Sequence, residues 1–119
     1  MTILLWIYML NATLLIVHEI DSAYWKEWEL FKLPGGIQFF NIIHIPLVFM
    51  ILYGAVEVYK ASSLGYIISL ILSLGGVFAF TIHHYFLWKG NPQFDTPISK
   101  LILYAALVIS LIQAWITVN

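Results

Sequence analysis

The chain has no cysteine and no arginine among its 119 residues. Without cysteine there can be no disulfide framework, no thiolate nucleophile, no Cys-x-x-Cys redox pair and no thiolate ligation of a metal cluster. Charge is scarce too. Only 9% of the residues are charged, five lysines carry all the fixed positive charge, and the net charge is -1. A soluble domain normally carries about a quarter charged residues. Nucleic acid is excluded as a partner, because its recognition needs clustered Lys and Arg along a face. A cleaved secretory signal is not expected either. Met1-Thr2-Ile3 runs straight into apolar sequence with no positive stretch before it, and His18-Glu19 follows where a small-residue cleavage site would stand. The first apolar segment is therefore read as a retained helix.

What the chain has in quantity is apolar sequence, 62% of it. It falls into four segments, Ile3 to about Ile20, Ile37 to Val58, Leu64 to Trp88 and Pro97 to Val118. Each approaches or exceeds the roughly 20 residues that a helix needs to cross about 30 Å of hydrocarbon. Inside lipid the backbone must satisfy its own amides, so these crossings must be helical. The expected fold is all-α: a polytopic membrane protein forming a four-transmembrane-helix antiparallel bundle. One domain covers residues 1–119, with helices at about 3–32, 37–59, 63–88 and 97–118, the first extended past the membrane surface. The short connector between the second and third helices forces them to be antiparallel neighbours. Four crossings put both termini on one side. Lys26, Lys32, Lys89 and Lys100 lie at the opposite face, against Lys60 on the side of the termini. The positive-inside rule then places the long loops in the cytoplasm.

That count brings every histidine, His18, His44, His83 and His84, to the face of the long loops. At 100° per residue, Asn11, His18, Asp21, Ser22, Trp25 and Glu29 fall within about a third of a turn, so a helix continuing past the membrane surface would present one polar face. Pro34 and Gly35-Gly36 then stop it. Tyr24, Trp25 and Trp28 have the composition of an interfacial aromatic belt. The second helix adds Asn41 and His44, three apart and on one side, with Pro46 predicting a kink beside them. On the third helix Gly65, Ser69, Ser73 and Gly76 form a narrow face suited to close packing in lipid, and His83 continues it. The fourth helix should start with Thr96 as its cap and Pro97 at its first position, and it carries Tyr104, Ser110 and Gln113. The phases predict a common polar pocket formed by His18, Asp21, His44 and at least one of His83 and His84, with His83 favoured. Asn11, Trp25, Trp28, Asn41 and Tyr104 are its expected surroundings.

The stretch His18-Glu19-Ile20-Asp21, then Trp25, Glu27-Trp28-Glu29 and Leu33-Pro34-Gly35-Gly36, followed by Asn41 and His44-Ile45-Pro46-Leu47, resembles an uncharacterised family of small four-helix membrane proteins from bacteria and archaea. The resemblance covers about half the chain and implies the architecture without an activity. A looser similarity is to the emopamil-binding sterol isomerase group, whose intramembrane acids, Asn, His and Trp serve proton transfer. No full motif of that group aligns here, so the likeness is one of analogy.

Three chemistries compete for the pocket. The first is binding or acid-base processing of a lipophilic small molecule, with His18 and His44 as proton donors or acceptors and Asp21 orienting His18. The second is a metal site for zinc or iron, with His18, Asp21, His44 and His83 as ligands, although the chain has no His-Glu-x-x-His element or repeated His box. The third is a non-catalytic accessory or assembly subunit, whose polar groups join helices within a homo-oligomer or against a membrane-protein partner. A serine nucleophile at Ser22 lacks the Gly-x-Ser-x-Gly setting. A transport pathway lacks an inverted repeat between the two halves. Since the chain is free of cysteine, single cysteines introduced at Thr2 and at Asn119 report topology directly. Both are expected to react with an impermeant maleimide from the same side of sealed vesicles, and opposite accessibility would refute the four-crossing count.

Overall fold

The computed structural model describes residues 2–119, and Met1 of the expected domain lies outside the described residues. The chain forms α1 (Thr2–Tyr24), α2 (Glu27–Leu30), α3 (Gly36–Tyr59), α4 (Ser63–Trp88) and α5 (Pro97–Val118). No strand occurs among the described residues. α1, α3, α4 and α5 are each long and apolar enough to cross a membrane. They close into a ring in which α1 packs against α3 and α5, and α4 packs against α3 and α5.

The polarity of this bundle is inverted relative to a soluble one. Trp6, Phe49, Leu74, Phe78, Leu101 and Trp115 point outward, whereas Asn11, Ser69, Ser110 and Gln113 are fully enclosed. A soluble protein rarely exposes so much contiguous apolar surface. Hydrocarbon is the solvent in which such an exterior costs nothing and in which every enclosed polar group needs a partner.

Small residues set how closely α4 can approach its neighbours. A side chain at Gly76 would collide with Ser110 of α5, and a Cβ at Gly65 would stand 2.5 Å from the backbone carbon and oxygen of Glu57 in α3. The α3–α4 connection is only Lys60-Ala61-Ser62. Ser62 Oγ donates to Glu57 Oε2 at 2.6 Å and accepts from the Gly65 amide at 3.0 Å, capping α4. Lys60 Nζ binds the other Glu57 oxygen at 2.8 Å. Thr96 caps α5 with Pro97 in its first turn, as expected from sequence.

One local feature differs from the sequence expectation. The first helix does not run unbroken to residue 32. It ends at Tyr24, Lys26 adopts a left-handed conformation (φ 54°), and one separate turn, α2, carries Glu27 to Leu30. Pro46 lies inside α3, where its missing N–H withdraws the helical donor from the Ile42 carbonyl.

Gly65 gives the fold its sharpest test. An alanine in a helix is favoured over glycine by about 1 kcal/mol, but here the methyl meets backbone, which cannot rotate away. Gly65→Ala is expected to lower unfolding free energy by about 1–3 kcal/mol, the range for overpacking. Denaturation in detergent micelles measures it, and a stabilised variant would contradict the close α3–α4 approach.

Candidate functional site

The break at Lys26 builds the site. On a continuous helix Glu27, nine residues beyond His18, would sit at about 900°, half a turn away on the opposite face. Folded back as α2, it instead lies over the end of α1. Ser22, one turn beyond His18 on the same face, donates from Oγ to Glu27 Oε2 at 2.9 Å, and its Oγ is 3.5 Å from His18 Nε2. From α4, His83 Nε2 reaches the same Glu27 oxygen at 2.9 Å. The His18 and His83 rings meet edge to face with centroids 4.8 Å apart. His18, Glu27 and His83 each present a ligand-capable atom, all within 4.8 Å of one another. His18 and His83 are buried, and the Glu27 side chain is only 16% exposed.

Aromatic rings seal this cluster from the loops. Phe94, in the α4–α5 connection, is itself buried and packs 4.0 Å from His83 and 5.7 Å from His18, centroid to centroid. It holds a left-handed conformation (φ 66°), which costs a non-glycine residue about 1–2 kcal/mol and is sustained by the surrounding contacts. Phe31 flanks His83 from the other side at 6.2 Å. Burial pushes the Glu27 carboxyl up, but the His83 contact and charge, the Ser22 hydrogen bond and the His18 charge outweigh it, leaving the carboxyl below its ordinary range.

A second acid-histidine pair stands beside the first. Glu19 Oε2 and His44 Nε2 are 2.5 Å apart, joining α1 to α3. The other ring nitrogen, Nδ1, lies 2.6 Å from the Phe40 carbonyl oxygen, which can only accept, so Nδ1 carries a hydrogen and donates it. Two lone pairs cannot share a 2.5 Å contact. One further proton therefore lies between Glu19 and His44, whether written as acid with neutral imidazole or as carboxylate with imidazolium.

His18, Glu19, Glu27 and His83 form the polar end of a cleft of about 210 Å³ between α3 and α4. The rest of its lining is apolar, including Leu15, Leu47, Met50, Leu72 and Ile82. Ile71, Gly75 and Phe78 line the cleft and are also exposed on the outside of the bundle. These three lie midway along α4. The mouth is therefore on the flank, at the depth of the hydrocarbon, rather than at the end of the bundle.

Over residues 4–119 the sequence matches DUF6713, described as a family of unknown function. The chain belongs to that family. No curated protein and no solved structure matches it.

Of the residues expected from sequence, this DUF6713 member brings His18 and His83 into one cluster and sets His44 beside it through Glu19. Asp21 is half-buried, and among the described residues no hydrogen bond or ion pair reaches its carboxylate; Glu27 holds the place beside His18 that helical phase assigned to Asp21. Trp25 packs at 6.5 Å against Phe94, and Trp28 at 5.6 Å against Phe40, so both support the site from behind. Asn41 is exposed. His84 faces away, donating from Nδ1 to the Phe80 carbonyl and packing against the exposed Tyr104 at 4.9 Å. Asn11 lies in a separate network: its Nδ2 donates to Ser110 Oγ at 3.0 Å and Gln113 Oε1 at 2.9 Å. Phase reasoning missed Glu19, Glu27, Phe31 and Phe94. Glu19 is 100° from His18, and the other three owe their positions to loop geometry.

The separation of Asn11 from the cleft is testable. Asn11→Ala is expected to lower stability by about 0.6–2 kcal/mol, the range for an interhelical hydrogen bond in a membrane bundle. It should leave the composition of any co-purified lipid unchanged. Unfolding measurements combined with lipid mass spectrometry check both halves.

Proposed function

We propose that the protein binds a lipophilic molecule with a small polar head, placing the head among His18, Glu19, Glu27 and His83 and the first part of its chain in the α3–α4 cleft. The observation that carries this reading is the cleft itself: apolar along its walls, polar at one end only, and open on the bundle's flank. Its volume of about 210 Å³ is below the roughly 300–1,000 Å³ typical for a whole drug-sized ligand. The remainder of the chain then lies along the exposed surface of α4, in lipid. Ionisable groups inside a membrane bundle are costly and usually functional.

In this reading the Glu19–His44 couple supplies proton chemistry. Glu19 lines the cleft and His44 stands behind it, bonded through Nδ1 to a backbone carbonyl that fixes the ring. The single proton between them can be given to a basic atom of the head or replaced by one taken from it, with the charge shared across the pair. The apolar surroundings strengthen each such interaction relative to water.

Gly75 provides the test, because among the described residues a Cβ there meets nothing within 4 Å. Gly75→Phe is expected to fold with unchanged or raised thermal stability while filling the mouth. The protein is extracted into nanodiscs without detergent, and its lipids are compared with those of the bulk membrane. Wild type should show enrichment of one lipid class, Gly75→Phe should lose it, and His44→Ala, although less stable, should change the class retained. Lipid identical to bulk in all three would refute the reading.

A further inference from the structure

We infer that His18, Glu27 and His83 bind a single divalent transition-metal ion of the zinc class, with the fourth coordination position open to the cleft. The inference concerns the polar end of the cleft and holds whatever molecule occupies its apolar part.

The donor set is two imidazole nitrogens and one carboxylate oxygen, supplied by three different elements, α1, α2 and α4. Their ligand-capable atoms all lie within 4.8 Å of one another, and the His83–Glu27 contact is 2.9 Å. Around a tetrahedral zinc with bonds of about 2.0–2.1 Å, neighbouring ligand atoms stand about 3.4 Å apart. The cluster brackets that spacing, so small side-chain rotations suffice to close on an ion. Two imidazoles with one carboxylate suit zinc or ferrous iron, whereas magnesium and calcium prefer all-oxygen surroundings.

One further observation separates this cluster from a packing network, the outer layer around the carboxylate. Ser22 donates to the Glu27 oxygen that faces His83, the kind of contact that orients a ligating carboxylate. Phe31 and Phe94 shield the cluster from the loops, so the remaining approach is through the cleft that His18, Glu27 and His83 all line. A head group entering the cleft would meet the open position. A metal there would act as a Lewis acid toward a head-group oxygen.

The full chain in nanodiscs is stripped with a chelator and titrated with zinc chloride, with metal content read by elemental mass spectrometry and binding by thermal shift. About one zinc per chain and a rise in melting temperature are expected, since a ligand bound only by the folded state stabilises it. Glu27→Gln and His83→Gln should each lose the bound zinc, and Ser22→Ala should weaken it by about 10–100-fold. His84→Ala should bind as wild type does. Cobalt in place of zinc should give the wild-type protein the intense visible absorption of a four-coordinate site, which tests the proposal even if a ligand variant fails to fold. Metal analysis of protein as purified distinguishes zinc from iron as the resident ion. Gly75→Phe should keep its zinc while losing lipid, so a failed lipid assay and a failed metal assay are separable. Zinc content near zero with no thermal shift and no cobalt spectrum would overturn the proposal, as would equal zinc in wild type, Glu27→Gln and His83→Gln.

Discussion

Hydrocarbon offers no hydrogen bonds, and most of this structure follows from that one constraint. Asn11, Ser110, Gln113, Ser69 and Thr117 form a continuous chain of side-chain contacts through the middle of the bundle, with Gln113 Nε2 donating both to the Ser69 carbonyl at 2.9 Å and to its hydroxyl at 3.1 Å. Each link is worth only about 0.6–2 kcal/mol, because a membrane-embedded unfolded state also finds partners. Their effect is to fix register among α1, α4 and α5. α3 lacks a share in this chain and is tied instead at separated points: Tyr8 Oη donates to the Ile51 carbonyl at 2.7 Å, Glu57 braces the connection to α4, and His44 meets Glu19. The helix with the sparsest polar ties is the one beside which the cleft lies.

The same constraint accounts for where the ionisable groups are. Glu19, Glu27, His18, His44 and His83 gather at one end of the bundle, each within reach of another. Removing one member would leave its partner's charge or lone pair unmet in a low-dielectric setting, where the penalty is largest. Of the four non-glycine residues with positive φ, Lys26, Lys32, Ala61 and Phe94, two position a side chain against the histidines: Lys26 by turning Glu27 back, Phe94 by its own ring.

Much of this could be read from the residues, and the limits have physical causes. Four apolar runs of membrane length gave the helices, Thr96-Pro97 gave the start of α5, and the phase relation of His83 to Gly65 and Gly76 gave its inward direction. The family expected from the first loop was one without an assigned activity, and DUF6713 is such a family. What helical phase could not supply was any residue beyond a break. Lys26 carries no glycine-like signal for a positive φ, so helical phase carries the polar stripe through it to Glu29 and passes over Glu27. Asn11 and Gln113 show a related limit. A polar residue inside lipid must face inward, but the sequence does not say whether it faces a cavity or another side chain.

The shape of the cleft determines where selectivity can arise. At the α3–α4 connection the helices touch backbone to backbone at Gly65, and the cleft lining on α4 begins only at Ile71, nearly two turns further on. The gap is thus a wedge, pinned at its narrow end by glycine and Glu57 and capped at the other by α2. A closed void of about 210 Å³ would cost on the order of 5 kcal/mol at about 24 cal/mol per Å³. An opening on the flank at Ile71, Gly75 and Phe78 would remove most of that cost wherever surrounding hydrocarbon chains enter it. Apolar walls discriminate weakly, by about 1–3 kcal/mol per methylene, whereas a site with polar groups that must be met can reject a ligand lacking them by about 10⁴-fold or more. For the ligand proposed above, any chain could fill the wedge, whereas only a head group that satisfies His18, Glu19, Glu27 and His83 together would make residence there specific.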